Sequence, residues 1–264
     1  MVKRLIQKGY IGLVIVFLYA PILVLMVLSF NGSKYRSKWG GFTFKWYKEL
    51  LENEKILNAL WTTLLLALFS ALLATVLGTL AAVAINRMKK VPKAIMMSIT
   101  NIPILNSEIV IGISMMLLYF AISFALGFMS VLLALTAAHM PYVILNVLPK
   151  LRQTSRSTYE AALDLGASPI SAFFKIVLPD IFPGVLSGFM LAFTLALDDF
   201  VITHFTKDAK VSTLSTVIYA ETRRGIEPEI YALSTIMFTV VLVLLIVVNR
   251  MKASAAKKLA EQQK

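Results

Sequence analysis

The 264-residue sequence contains no cysteine, so a disulfide framework and a thiolate metal site are both excluded. It has two histidines, His139 and His204, and neither has a partner at metal-ligand spacing. His139, just ahead of Met140-Pro141, is expected to be a satisfied polar residue in a packed helix rather than a proton relay. No Gly-x-x-x-x-Gly-Lys-Ser/Thr phosphate loop occurs, so any ATP that drives this protein is hydrolysed by another chain. The Gly-x-Gly-Asp context of an intramembrane aspartyl protease is missing around Asp198-Asp199. Charge is scarce too, at 15% of residues, where soluble domains carry about a quarter. What fills the chain instead is apolar, with 58% hydrophobic residues. These features describe an integral membrane protein of all-α class. The net charge of +12 does not point to nucleic acid, because the basic residues flank the apolar runs.

Six segments are long and apolar enough to cross a bilayer, which takes about 20 residues each. They lie near 10–30, 58–86, 95–122, 129–149, 184–204 and 231–249. The first is read as a retained helix, since it is long, holds Pro21 and lacks a small-residue cleavage site. Sixteen of the 26 basic residues fall before the first span, between spans two and three, between four and five, and after the sixth. The positive-inside rule therefore puts both termini in the cytosol. The organisation expected is a first span with an outer amphipathic segment (1–57), a core (58–250) with a cytosolic loop at 150–183, and a basic tail (251–264). In the outer segment, Gly40-Gly41 marks a turn, and Trp39, Phe42, Phe44, Trp46 and Tyr47 suit an interfacial aromatic belt.

Small residues recur at every fourth position in two spans: Ser70, Ala74, Gly78 and Ala82, then Gly184, Gly188, Ala192 and Ala196. Such seams let helix backbones approach closely in lipid, either inside the subunit or toward a second one. The third span carries Asn101, Pro103, Asn106, Ser107 and Glu108. A kink at Pro103, which frees a carbonyl, with polar groups around it, points to a transport site. Of the 14 acidic residues, only Glu108, Asp198 and Asp199 lie within spans, and no span contains Lys or Arg. A charge at a helix centre costs about 2.5–3.5 kcal/mol on insertion scales, so such residues mark a substrate path or hold helices together. Counted along straight helices, Asp198 stands about 21 Å beyond Gly184 and Glu108 about 20 Å beyond Ile95. Carboxylates at matched depth suit a passing polycation. By helical angle Asp199 faces the Gly188/Ala192 seam and is the more structural of the pair.

The stretch from Lys150 to Pro183 is the polar exception between two spans. Ser157-Thr158-Tyr159-Glu160 has capping-box spacing. Gly166 fits the position after a helix end, and Ser168-Pro169 fits the start of the next. Ile170, Phe173, Phe174 and Val177 then make one apolar stripe, and Leu178-Pro179 is expected to stop the helix. Two short helices on a membrane surface follow from this. The run Glu160-Ala161-Ala162, Gly166 after three more residues, then Ile176-Val177-Leu178-Pro179, resembles the EAA loop of binding-protein-dependent ABC importer permeases. Phe42-Thr43-Phe44-Lys45-Trp46-Tyr47, Ser107-Glu108-Ile109-Val110, Leu197-Asp198-Asp199-Phe200 and Gly225-Ile226-Glu227-Pro228-Glu229 are similar to signatures of the polyamine branch of that family, which imports spermidine and putrescine. Asn106-Ser107 departs from it, where a proline close to the acid is expected.

The resemblance implies a type I importer permease fold with six transmembrane helices. It implies a non-enzymatic subunit without a bound cofactor, ATP and Mg being held by partners. Those partners are a homologous permease completing a heterodimer, two ATPase subunits and an extracytoplasmic polyamine-binding protein, in a cell membrane. Glu160, Ala161, Ala162, Gly166, Ile176, Leu178 and Pro179 are the coupling residues so implied. Glu108, Asp198 and Asp199 are the expected pathway residues. Two alternatives stand beside this reading: a permease for another solute, such as ferric ion or thiamine, and a stand-alone secondary carrier.

Overall fold

The structure is a computed structural model that describes residues 2–35, 37–224, 227–240, 242, 243 and 246. The described residues are helical apart from turns and one isolated bridge. In chain order the helices are α1 (Val2–Ser29), α2 (Lys45–Glu52), α3 (Glu54–Arg87), α4 (Lys90–Leu105), α5 (Glu108–Ala121), α6 (Phe128–Gln153), α7 (Arg156–Asp164), α8 (Pro169–Ala172), α9 (Leu178–Asp198), α10 (Val201–Thr206) and α11 (Leu214–Arg224). A π turn, Phe173–Val177, joins α8 to α9, and residues 228–240 are helical.

Four helical segments are long and apolar enough to cross a membrane: Gly9–Ser29, Glu54–Arg87, Phe128–Gln153 and Pro169–Asp198. The pair α4 and α5 makes a fifth if it is one broken span, bent by 105°. The expected sixth span, 231–249, is helical to residue 240, but much of the remainder lies outside the described residues, as does the tail 251–264.

The chain divides into two compact units. One takes the residues up to Asn58 together with Val217–Val247. Here α1 runs through Pro21 and exposes a greasy surface that includes Phe17, 77% exposed. After it the chain doubles back in a small hairpin. Gly32 N–H donates to the Gly41 carbonyl at 2.9 Å, and Thr43 N–H to that of Phe30 at 2.9 Å. The Asn31 side chain pins the turn, accepting from Gly40 N–H at 2.7 Å and donating to the Lys38 carbonyl at 2.9 Å. Gly41 supplies the positive φ of 92° that the turn requires. Trp46 departs from the expected belt: it is 2% exposed and its indole N–H donates to the Asn31 carbonyl at 2.6 Å. A buried indole must find an acceptor, and the carbonyl beside the hairpin provides it. Trp39, Phe42 and Phe44 are exposed as the belt requires. Asn53 Nδ2 donates to Glu229 at 3.1 Å and Lys55 pairs with Glu221 at 2.6 Å, joining the start of α3 to α11 and the helix after it.

The second unit, Ala59–Thr216, is built around α6, whose face of Val143, Ile144, Val147 and Leu148 is buried. Ala71, Ala74, Ala82 and Ile85 of α3 and Ile181 and Ala192 of α9 share its core. Both small-residue seams face α6. A Cβ on Gly78 would lie 2.8 Å from Val143 Cβ, and one on Gly188 would lie 3.1 Å from Val143 Cα. One valine thus takes the close approach of two helices, and the seams serve packing within the subunit.

Candidate functional site

Two regions of the second unit hold the residues singled out in the sequence. The first is the hairpin of α7 and α8. The chain leaves α6 through Thr154 and Ser155, both extended, so α7 begins at Arg156. Ser157 therefore sits inside the first turn, and the expected capping box does not form. Its hydroxyl meets that of Ser155 at 2.7 Å instead. The other end is as expected. Gly166 has φ 87°, Gly166 N–H donates to the Leu163 carbonyl at 2.9 Å and Ala167 N–H to that of Ala162 at 3.0 Å. This pair of bonds is a Schellman closure, and it satisfies carbonyls that the helix end would leave orphaned. Ser168 then caps α8, its hydroxyl accepting from Ser171 N–H at 3.3 Å, with Pro169 in the first turn.

Leu178-Pro179 does not stop the second helix. The chain stays helical from Pro169 to Asp198. Pro179 has no N–H and its ring crowds the preceding turn. The π turn immediately before it widens the helix by one residue, with Leu178 N–H reaching back to the Phe173 carbonyl. Ile176 lies within that turn, so Ile176, Leu178 and Pro179 belong to the junction between hairpin and span. The expected apolar stripe is split: Ile170 and Phe174 are exposed at 72% and 59%, whereas Phe173 packs against the core and Val177 is buried in it. Leu165, at the turn, is 89% exposed, and Glu160 is exposed on α7. Ala161 and Ala162 are helix-forming residues of α7 beside it. The hairpin thus presents an acid and three large apolar side chains.

The second region is where two spans break. The third span does not break at Pro103; α4 continues to Leu105, and the break falls at Asn106 and Ser107, both extended. Glu108 opens α5 and is exposed. The fifth expected span, 184–204, breaks as well. α9 ends at Asp198, Asp199 is extended (φ −63°, ψ 120°), and α10 follows. The depths counted along straight helices therefore do not hold for Glu108, because a 105° bend intervenes between Ile95 and it.

The two breaks come together. α5 packs on α10, and at Gly112, one turn beyond Glu108, a Cβ would lie 3.3 Å from Ile202 Cα and 3.1 Å from Phe205. The two adjacent aspartates differ. Asp198 is exposed. Asp199 is 8% exposed, and its Oδ2 accepts from Thr203 N–H at 2.8 Å and from the Thr203 hydroxyl at 2.7 Å. Its Oδ1 accepts from Ile202 N–H at 3.4 Å. The partners of Asp199 are neutral donors and none is basic, as expected. Asp199 is the more structural acid because it caps α10, and the Gly188/Ala192 face plays no part in this, since the helix has already ended. Thr203 was not singled out in the sequence, although an acid just past a span with a threonine four residues on is a capping signal. Among the described residues no group of three metal-ligating side chains occurs. His139 is buried on α6, and its Nδ1 has no hydrogen-bond partner among the described residues, contrary to expectation.

Over residues 74–261 the sequence matches the family described as the binding-protein-dependent transport system inner membrane component. The chain belongs to this family. Its relatives include the spermidine/putrescine transport system permease protein PotC of Escherichia coli K12, 36% identical over 93% of both chains. The putrescine transport system permease protein PotI of the same organism is 38% identical over 84% of this chain and 81% of that one. Among solved structures, a bacterial ABC transporter that imports the acidic polysaccharide alginate superposes with a TM-score of 0.71, at 18% identity, over 96% of this chain and 95% of that one. That likeness shows the fold, which is that of ABC importer permeases. The permease is accordingly a membrane transport component and not an enzyme, which removes the stand-alone secondary carrier from consideration.

Proposed function

We propose that this permease forms half of the translocation path of an ATP-driven polyamine importer, with spermidine or putrescine as substrate. The observation that supports it most is the meeting of two helix breaks, each bearing an exposed carboxylate, in a chain 36% identical to a spermidine/putrescine permease. Broken spans with polar groups at the break suit a transport site. Glu108 and Asp198 offer negative charge to an ammonium group from two helices. Asp199 spends its oxygens on Thr203 and Ile202, and so shapes the turn that presents Asp198.

The hairpin of α7 and α8 is the coupling element, docking in a cleft of an ATPase subunit through Glu160, Leu165, Ile170 and Phe174. Ala161, Ala162 and Gly166 fix its shape, while Ile176, Leu178 and Pro179 join it to α9. ATP closes two ATPase subunits, draws this hairpin and that of a second, homologous permease together, and opens the path toward an external polyamine-binding protein. ATP and Mg stay on the ATPase. Both termini and the hairpin are cytosolic, in a bacterial cell membrane, as the distribution of Lys and Arg favours. A cytosol-only reporter fused after Gln153 should be active and one after Lys210 silent. The decisive assay is ATP-dependent uptake of labelled putrescine or spermidine by proteoliposomes that hold the permease with its partners. Uptake of neither, or uptake indifferent to ATP, would overturn the reading.

A further inference from the structure

We propose that Arg87 is a positioning residue for coupling, joining the coupling helix α7 directly to the end of α3; the inference rests on the coupling role proposed above. α7 packs on α8 and on the π turn, which are its own continuation in the chain. Toward the body of the second unit, α7 packs Tyr159 against the buried core and otherwise borders an open cleft of about 610 Å³. Val83 and Asn86 of α3, Leu151 of α6, Leu163 of α7 and Phe173 of the π turn line it. Packing forces act only between atoms in contact, so across this cleft a push passes through Tyr159. Arg87 and Tyr159 both line this cavity and meet. Arg87 Nη2 donates to the Tyr159 hydroxyl at 3.2 Å, and the guanidinium lies 5.4 Å from the centre of the Tyr159 ring.

Tyr159 directly precedes Glu160, the exposed acid of the hairpin. Arg87 is the last residue of α3, the helix whose Gly78 seam is locked on Val143 of α6. Movement of α7 thus has two routes into the spans. One is covalent, through Gly166, α8 and the π turn into α9. The other runs through Tyr159, by its packing on the core and by its contact with Arg87 at the end of α3. Arg87 is exposed, and surface contacts of this kind add little to folding stability. Its loss should therefore show in coupling rather than in assembly. A planar guanidinium can stack and donate together, which an ammonium cannot reproduce, so lysine is an incomplete substitute.

The test uses the full complex in proteoliposomes and reads ATP hydrolysed per labelled polyamine imported, together with copurification of the ATPase. Arg87→Ala should retain the ATPase and its hydrolysis but import several-fold less per ATP. Arg87→Lys and Tyr159→Phe should each fall between Arg87→Ala and wild type. Adding Tyr159→Phe to Arg87→Ala should cause no further loss, since both remove one contact. An unchanged ratio in Arg87→Ala, or a loss that merely follows reduced ATPase copurification, would overturn the inference. Gly166→Val, measured beside it, separates the two levels. If Gly166→Val imports normally, the coupling hairpin itself is misassigned. If Gly166→Val fails while Arg87→Ala is normal, only the second route is wrong.

Discussion

The two helix breaks in the second unit solve the same problem in opposite ways. Each interrupts an apolar helix with extended backbone, which leaves N–H groups at the start of the next helix without helical partners. At the α9–α10 break a buried carboxylate, Asp199, accepts from two of these N–H groups, those of Ile202 and Thr203, and from the Thr203 hydroxyl as well. At the α4–α5 break no side chain caps the new helix; Ser107 makes no such bond, and the acid there, Glu108, is exposed. A closed break is architecture, and an open break with a free acid is available to a ligand. The same division separates Asp199 from its neighbour Asp198. Two carboxylates adjacent in sequence therefore have different consequences when removed.

The sharpest way to break this comparison is Asp199→Ala. It strips acceptors from buried donors and should cost about 2–3 kcal/mol, the sum expected for a lost cap and an unsatisfied buried N–H. Reduced yield and a lower melting temperature in detergent would show it. Thr203→Val keeps the shape and removes one hydroxyl bond, so the loss should be nearer about 1 kcal/mol. Glu108→Gln should change stability by less than about 0.5 kcal/mol, as for exposed substitutions generally. Equal melting temperatures for Asp199→Ala and Glu108→Gln would erase the distinction between closed and open breaks.

The turn of the hairpin was readable because its signals are local, whereas the capping box at Ser157, local too, is displaced by a helix that starts at Arg156. Gly166 at positive φ and Ser168 with Pro169 each act within a few residues, and their chemistry permits few conformations. The breaks were harder because they depend on tertiary contact. Pro103 drew attention, yet α4 runs past it, since a proline removes one bond without obliging the chain to leave the helix. The bend falls three residues later, at Asn106-Ser107, in a span whose continuation packs on α10 at Gly112. Pro179 misled in the same manner, because a π turn absorbs it. Trp46 shares its type with its aromatic neighbours in the sequence, and only the Asn31 carbonyl beside it sets it apart. The roles of Glu108 and Asp198 were visible only as charges without basic partners; that Asp199 is the more structural acid was legible, but its physical reason is Thr203, one helical turn away, and not the glycine seam.

The most direct measurement is ATP-dependent uptake of labelled putrescine or spermidine by the assembled complex carrying Glu108→Gln and Asp198→Asn together. The amides keep size and remove charge, and neither site is buried, so the complex should assemble with an unchanged melting temperature. Uptake should then fall by at least about tenfold, which corresponds to about 1.4 kcal/mol of lost interaction with the cation. Wild-type uptake by the assembled double amide would contradict it.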